Sequence, residues 1–217
     1  MTAVVPHRFL FRYSFPVRRV ARMPKKGRRL LNLPENCELS SLSELDGSRS
    51  FAQIRVAWNE RGLGVSVDVS GKTQPLECRL AEPTQSDGLQ VWVDTRNTQS
   101  IHRASRFCHH FCLLPTGTGK KADQPTATQL PIARAREEMT LAKPKQIGIS
   151  VEHRSDGYRL EAWFASEILN GFDPEANPLL GFYYALRDAE LGEQFLTVGH
   201  EFPFSRDPSL WSTLELS

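Results

Sequence analysis

Cys108-His109-His110-Phe111-Cys112 places two thiols and two imidazoles within five residues. Thiolate and neutral imidazole are ligands that suit zinc, and a structural zinc site wants four of them. Phe107, His109, Phe111 and Leu113 alternate with Cys108, His110, Cys112 and Leu114, which is the period-two pattern of a strand. On a strand Cys108, His110 and Cys112 share one face, with the two cysteines about 13 Å apart by the strand rise. That spread is too great for one ion or for a disulfide between them, and His109 faces the other way. A metal centre would need His102, His200 or Asp94 folded in, so none is expected. The four cysteines, Cys37, Cys78, Cys108 and Cys112, are expected as free thiols.

Other catalytic signatures fail on spacing. Gly117-Thr118-Gly119-Lys120 lacks the earlier glycine and the following Ser or Thr of a phosphate loop. There is no Gly-x-Ser-x-Gly elbow, and no pair of carboxylates stands out as acid and base. Only three methionines exist (Met1, Met23 and Met139), and none falls on an expected strand. Haem would have to rely on His110 or His200, so no cofactor is expected. The chain reads as a binding protein, not as an enzyme.

A different set of residues suits a polar ligand. If Leu89, Val91 and Val93 point into a core, Gln90, Trp92 and Asp94 point out. By the same alternation Cys108, His110 and Cys112 point out, as do Tyr183 and Arg187, and so do Glu161 and Trp163 opposite Tyr158, Leu160 and Ala162. The expected ligand face is Gln90, Trp92, Cys108, His110, Glu161, Trp163, Tyr183 and Arg187. It mixes flat aromatic surface with hydrogen-bonding groups. The competing expectation is that Trp92 and Trp163 are covered by the N-terminal aromatics Phe9, Phe11 and Phe15.

The elements that would hold these residues are short strands. Ile54, Val56 and Trp58 lead through Asn59-Glu60-Arg61-Gly62 into Leu63, Val65, Val67 and Val69, a hairpin pattern. Strands are expected around 89–94, 107–114, 147–151, 158–164, 180–187, 194–199 and 211–216, with a single helical turn at Ser166–Leu169. Residues 115–131, with three prolines, two glycines and four threonines, read as a long loop, and 132–139 as a short helix or strand. Repeated short strands without a long amphipathic helix predict an all-β, antiparallel two-sheet β-sandwich, jelly-roll-like, with little helix.

Composition bounds the partners. The 217 residues carry a net charge of +2, with 40% hydrophobic and 24% charged residues, an ordinary globular balance. That charge does not favour nucleic acid, whose contacts would need a local patch. The one basic run is 18–29, with seven basic residues in twelve, broken by Pro24 and Gly27. It reads as a solvated loop or a docking arm. Phe9, Phe11, Tyr13 and Phe15 alternate with Leu10, Arg12 and Ser14 as a strand with one aromatic face. No window is apolar enough for a membrane helix and no export signal is read in residues 1–20, so a cytoplasmic location is expected.

Three segments taken together carry a resemblance. They are Val56-Ala57-Trp58-Asn59-Glu60-Arg61-Gly62-Leu63-Gly64-Val65, Ser86-Asp87-Gly88-Leu89-Gln90-Val91-Trp92-Val93-Asp94, and Asp156-Gly157-Tyr158-Arg159-Leu160-Glu161-Ala162 followed by Leu180-Gly181-Phe182-Tyr183-Tyr184-Ala185-Leu186-Arg187-Asp188-Ala189. With the closing Arg206-Asp207-Pro208-Ser209-Leu210-Trp211-Ser212-Thr213-Leu214-Glu215-Leu216, they resemble family-9 carbohydrate-binding modules and the wider DOMON-like sandwiches. The resemblance covers roughly residues 40–217 and implies a two-sheet sandwich with a ligand face on one sheet. That family grips a sugar between two tryptophans. At the matching positions this chain has Thr84, or a neighbour, and Ser205. Where the family favours Glu, Arg and Asn for sugar hydroxyls, this chain has Gln90, Cys108 and Arg187. The expected organisation is an aromatic and basic segment, 1–35, packing on a carbohydrate-binding-module-like sandwich, 36–217. The expected function is non-catalytic binding of a carbohydrate or other small polar ligand. The alternative is a protein-interaction domain that uses the basic segment.

Overall fold

The computed structural model describes residues 7–25, 27, 29–45, 47 and 50–217. Residues 1–6, Lys26 and Arg28, which belong to the expected N-terminal segment, lie outside the described residues. In chain order the strands are β1 (Ser14–Val17), β2 (Ala52–Asn59), β3 (Gly62–Ser70), β4 (Gly88–Asp94), β5 (Cys108–Thr118), β6 (Gln124–Leu130), β7 (Ile147–Arg154), β8 (Gly157–Ala165), β9 (Leu179–Asp188), β10 (Gly192–Phe195) and β11 (Ser212–Leu216). They form an all-β sandwich of two sheets. The larger has the order β1-β11-β9-β4-β5-β6, with β10 also on β9; the smaller has the order β2-β3-β8-β7. Pairing is antiparallel throughout except β1 with β11, which is parallel.

Between the sheets lies one apolar core. Val56, Leu63, Val65, Val67, Leu160 and Phe164 of the smaller sheet meet Leu89, Val91, Phe111, Leu113, Phe182 and Leu186 of the larger. These are the residues that alternation turns to one face of each strand, so burial selects the register. The β2–β3 hairpin closes over Glu60-Arg61, with Asn59 opposite Gly62. Gly62 has φ +149°, and a Cβ there would lie 2.1 Å from the Phe164 carbonyl oxygen of β8, so the turn requires glycine.

Several expectations are corrected. Residues 115–131 are not a loop: β5 runs on to Thr118 and turns into β6, an edge strand paired from Leu130 to Gln124. Residues 132–139 form neither helix nor strand. Of the aromatic run 9–15, only Ser14–Val17 is strand; Phe9 belongs to a 3-10 turn, His7–Leu10, and Phe9 and Phe11 are exposed. The last part of the strand expected at 194–199 is irregular, and the chain from 196 to 206 folds back over the outer face of the larger sheet.

The basic run lies elsewhere. Met23, Leu31, Leu33 and Cys37 form a second, small apolar cluster with Ala57 and Trp163 on the outer face of the smaller sheet. Glu161 holds this covering in place: one carboxylate oxygen accepts the Leu31 N–H at 2.9 Å and the other the Asn32 N–H at 2.8 Å. Arg19 pairs with Glu60 and Arg29 with Glu152 at the surface.

Candidate functional site

Eight residues were expected on one ligand face, and the sheet topology divides them. Glu161 and Trp163 sit on β8, in the smaller sheet. Outward there is the opposite side of the molecule from outward on β4, β5 and β9. Both side chains are buried, Trp163 against Met23, Leu31, Leu33 and Cys37 and Glu161 against the Leu31 and Asn32 backbone, so neither joins the other six. The physical reason is that alternation reports which way a side chain points from its own sheet and says nothing about which sheet the strand joins.

The remaining six lie on the outer face of the larger sheet. His110, Trp92 and Tyr183 form one row across β5, β4 and β9. The expectation that they offer open aromatic surface is corrected: Trp92 is 1% exposed, Tyr183 0% and His110 7%. The His110 ring lies flat against the Trp92 indole, with centroids 4.2 Å apart. Phe204, from the returning 196–206 segment, stacks on Tyr183 at 4.6 Å and meets Trp92 edge-on at 5.5 Å. The Tyr183 hydroxyl donates to the Val198 carbonyl. The cover is therefore Phe204 and its neighbours, and of the N-terminal aromatics Phe9 packs on Phe202 of that segment.

Beside this covered row opens a cleft of about 800 Å³. Gln90, Trp92, His110 and Arg187 line it, together with Thr84, Gln85, Glu193, Phe195, His200 and the turn from Glu201 to Arg206. Thr84 and Ser205, the residues that the resemblance (for Thr84, it or a neighbour) sets where that family has tryptophans, are both on its wall. Cys108 is not: it lies at the other end of β5, buried beside Ser105. Nor does Tyr183 line it.

Hydrogen bonds fix the polar groups of the cleft. His110 Nε2 lies 3.1 Å from Gln90 Oε1, and Gln90 Nε2 donates to the Thr84 carbonyl at 3.4 Å. That direction assigns the imidazole proton to Nε2. Burial pushes the His110 pKa down to about 3, so the ring is neutral. Arg187 Nε donates to the Gln85 carbonyl at 3.0 Å, and its guanidinium is 3.5 Å from Glu193, the residue opposite it on β10. Glu193 also meets His200 Nε2 at 3.1 Å. Glu201 accepts the Gly199 N–H. Arg187 and His200 remain substantially exposed at the mouth, while Phe195 and Phe202 are half-buried. The arrangement offers fixed amide and guanidinium groups beside partly apolar walls, the make-up of a small-molecule site.

The thiols fit no metal or nucleophilic role. Burial raises Cys108 and Cys112 to about 12, with Asp94 adding to the shift of Cys108, so both stay protonated near neutral pH. Among the described residues no group of three or more His, Cys, Asp and Glu side chains could hold a metal ion. His109 faces the interior and its Nδ1 is 3.1 Å from Gln129 Nε2. A Ser-His-Asp cluster does occur, at Ser209, His102 and Asp207. However, the serine hydroxyl and the carboxylate both contact His102 Nδ1, at 3.1 and 3.0 Å. A triad needs them on opposite ring nitrogens.

Sequence reasoning missed the 195–206 segment, which forms a whole wall of the cleft. Its signal was three phenylalanines, Phe195, Phe202 and Phe204, in a stretch that breaks strand periodicity. Such residues must be covered by something, and here they cover the sheet.

No family model matches the chain, and no curated protein matches it. Solved structures do match in fold. A family-9 carbohydrate-binding module from Caldicellulosiruptor kristjanssonii in complex with cellotriose is 14% identical, with a TM-score of 0.57, covering 94% of each chain. A module of the same family from the same organism, in complex with glucose, is 13% identical, with a TM-score of 0.59, covering 94% of this chain and 96% of the other. A third structure, from Bacteroides uniformis, has a TM-score of 0.54 at 10% identity. The chain therefore has the fold of family-9 carbohydrate-binding modules. Among the described residues no helix is long and apolar enough to cross a membrane.

Proposed function

We propose that a chain with this fold acts as a non-catalytic module that binds a carbohydrate in the cleft between the 83–86 turn, the outer face of β4 and β9, and the 195–206 segment. One observation carries the reading. Of the five positions that the resemblance picked, Thr84 (or a neighbour), Gln90, Arg187 and Ser205 line one cleft of about 800 Å³, while Cys108 does not. Solved relatives in fold hold glucose and cellotriose. With Thr84 and Ser205 in place of stacking tryptophans, the sugar is held mainly by hydrogen bonds. Arg187 presents its guanidinium at the mouth, and the Gln90 amide is held by His110 and the Thr84 carbonyl. Phe195 and Phe202 supply the apolar contact. The non-catalytic part of the reading is supported by the carbohydrate-binding modules that share the fold, and Glu193 is engaged by Arg187 and His200.

Docking of a protein on the basic segment is the weaker reading. Arg19 and Arg29 already pair with Glu60 and Glu152, and the hydrophobic side of the segment is consumed by Trp163.

Isothermal titration with glucose, cellotriose, xylotriose and galactose is expected to give saturable binding for at least one of them. Arg187→Ala should weaken it tenfold or more, about 1.4 kcal/mol. Arg187 is exposed enough for the variant to keep its melting temperature. Absence of binding by all four at millimolar concentration would refute the reading.

A further inference from the structure

We propose that the ligand cleft continues past Phe202 into a second saccharide subsite built partly from residues 8–13, so that the preferred ligand is an oligosaccharide. This rests on the carbohydrate reading above. Phe202 and Pro203 line the 800 Å³ cleft, and they also line a neighbouring cleft of about 330 Å³. The two hollows thus share one wall. The first lies in the upper part and the second at the lower end of the size range of small-molecule sites, which suits a longer ligand in one and its overhanging ring in the other.

The second cleft has the chemistry that a sugar ring needs. Phe9 lies flat on Phe202, with centroids 4.3 Å apart and planes at 17°, and so forms the crest between the clefts. Phe11 is 66% exposed on the far side, edge-on to Tyr13 at 6.5 Å. An exposed ring of this kind offers an apolar face to the C–H face of a pyranose. The polar groups around it are held in position. Arg12 donates to Gln99 Oε1 at 2.5 Å, and Gln99 Nε2 donates to Thr213 Oγ1 at 2.5 Å. Asp207, an acceptor for hydroxyls, is fixed by the Ser209 N–H at 3.0 Å and by His102. A cleft meant only to seat an apolar peptide would have no use for this ring of oriented donors and acceptors. The 8–13 segment, which is not strand, gains a role as the floor of the subsite.

The test is calorimetric titration of the full chain and of Phe11→Ala with glucose, cellotriose and cellohexaose. The expected result is affinity rising at least tenfold from glucose to cellohexaose, with Phe11→Ala abolishing that rise and leaving the glucose affinity unchanged. Because Phe11 is exposed, the variant should unfold at the wild-type temperature, and a thermal scan checks this. Equal affinity across the series, or a rise that survives in Phe11→Ala, overturns the second subsite and leaves the first intact. Binding of none of the three overturns the second subsite, and the carbohydrate reading falls with it only if xylotriose and galactose fail as well. If glucose alone binds while the Phe9–Phe11 surface captures a protein, the surface is a docking face and the proposal fails.

Discussion

Lys72→Met is expected to cost about 3–5 kcal/mol of stability, the usual penalty for removing one partner of a buried ion pair. The Lys72 ammonium, on a residue only 5% exposed, lies 2.9 Å from Asp188 and 3.4 Å from Asp87, with Glu190 at 3.8 Å. Both aspartates are buried. Asp87 also accepts the Ala189 and Glu77 N–H groups, and Asp188 accepts those of Glu190 and Leu191. The lysine therefore joins the end of β3 to the start of β4 and the end of β9, one residue beyond Arg187. Without the ammonium two buried carboxylates face each other uncompensated. Burial pulls the Lys72 pKa down, but the hydrogen bond to Asp188 and the charge of Asp87 outweigh it, and the net shift is upward. Its contribution is accordingly complete below the ordinary lysine value and is lost as pH rises above it. Urea unfolding measures the loss. The Lys72→Met/Asp188→Asn double variant should recover part of it, because it also removes one of the stranded charges. A Lys72→Met protein within 1 kcal/mol of wild type would contradict this account of the latch.

The second large effect is acid sensitivity. His109 and His110 are buried, and burial lowers them from 6.5 to about 4 and about 3. The folded state binds these protons less readily than the unfolded state. Their contribution is thus full above pH 6.5 and declines as pH falls from 6.5 towards the folded values. Each neutral histidine costs about 1.4 kcal/mol per pH unit in that interval, so the pair costs roughly 4 kcal/mol at pH 5. Burial works against the Asp68 carboxylate, but Arg154 and Arg159 outweigh it and hold its pKa below the ordinary value, so its stabilising contribution is intact over this interval and is lost only at lower pH. Urea midpoints measured from pH 7 to 5 should fall steeply. A His109→Gln/His110→Gln protein, though less stable at pH 7, should show a much flatter profile. A flat wild-type profile would show that the rings charge inside the fold.

Much of the fold was legible because period-two alternation is the direct imprint of a half-buried strand. Leu63 to Val69, Leu89 to Val93 and Tyr158 to Phe164 all carry it, and all are strands. β6 was illegible. Gln124–Leu130 is an edge strand of glutamine, threonine and proline that buries little and pairs only with β5, so it has the composition of a loop. Phe9 and Phe11 erred the other way: they have a strand's spacing without a partner to complete it. The site was half legible for a related reason. Gln90, Trp92, His110 and Arg187 lie on adjacent strands of one sheet, and local pattern with correct neighbours brought them together. Glu161 and Trp163 needed the sheet assignment of β8, which is a long-range fact. That Trp92 and Tyr183 are covered depended on a return of the chain more than ten residues beyond β9, which no local window contains.

A sugar is expected to bind in the cleft flanked by Gln90 and Arg187. A nitrogen–proton NMR titration of the isotopically labelled chain with cellotriose tests it most directly. Fast, saturable shifts are expected to centre on Gln85, Gln90, Arg187, Glu193 and the 200–206 turn, with the Trp163 indole on the opposite sheet unmoved. Shifts centred on Trp163 and the 18–29 segment, or none at saturating sugar, would contradict it.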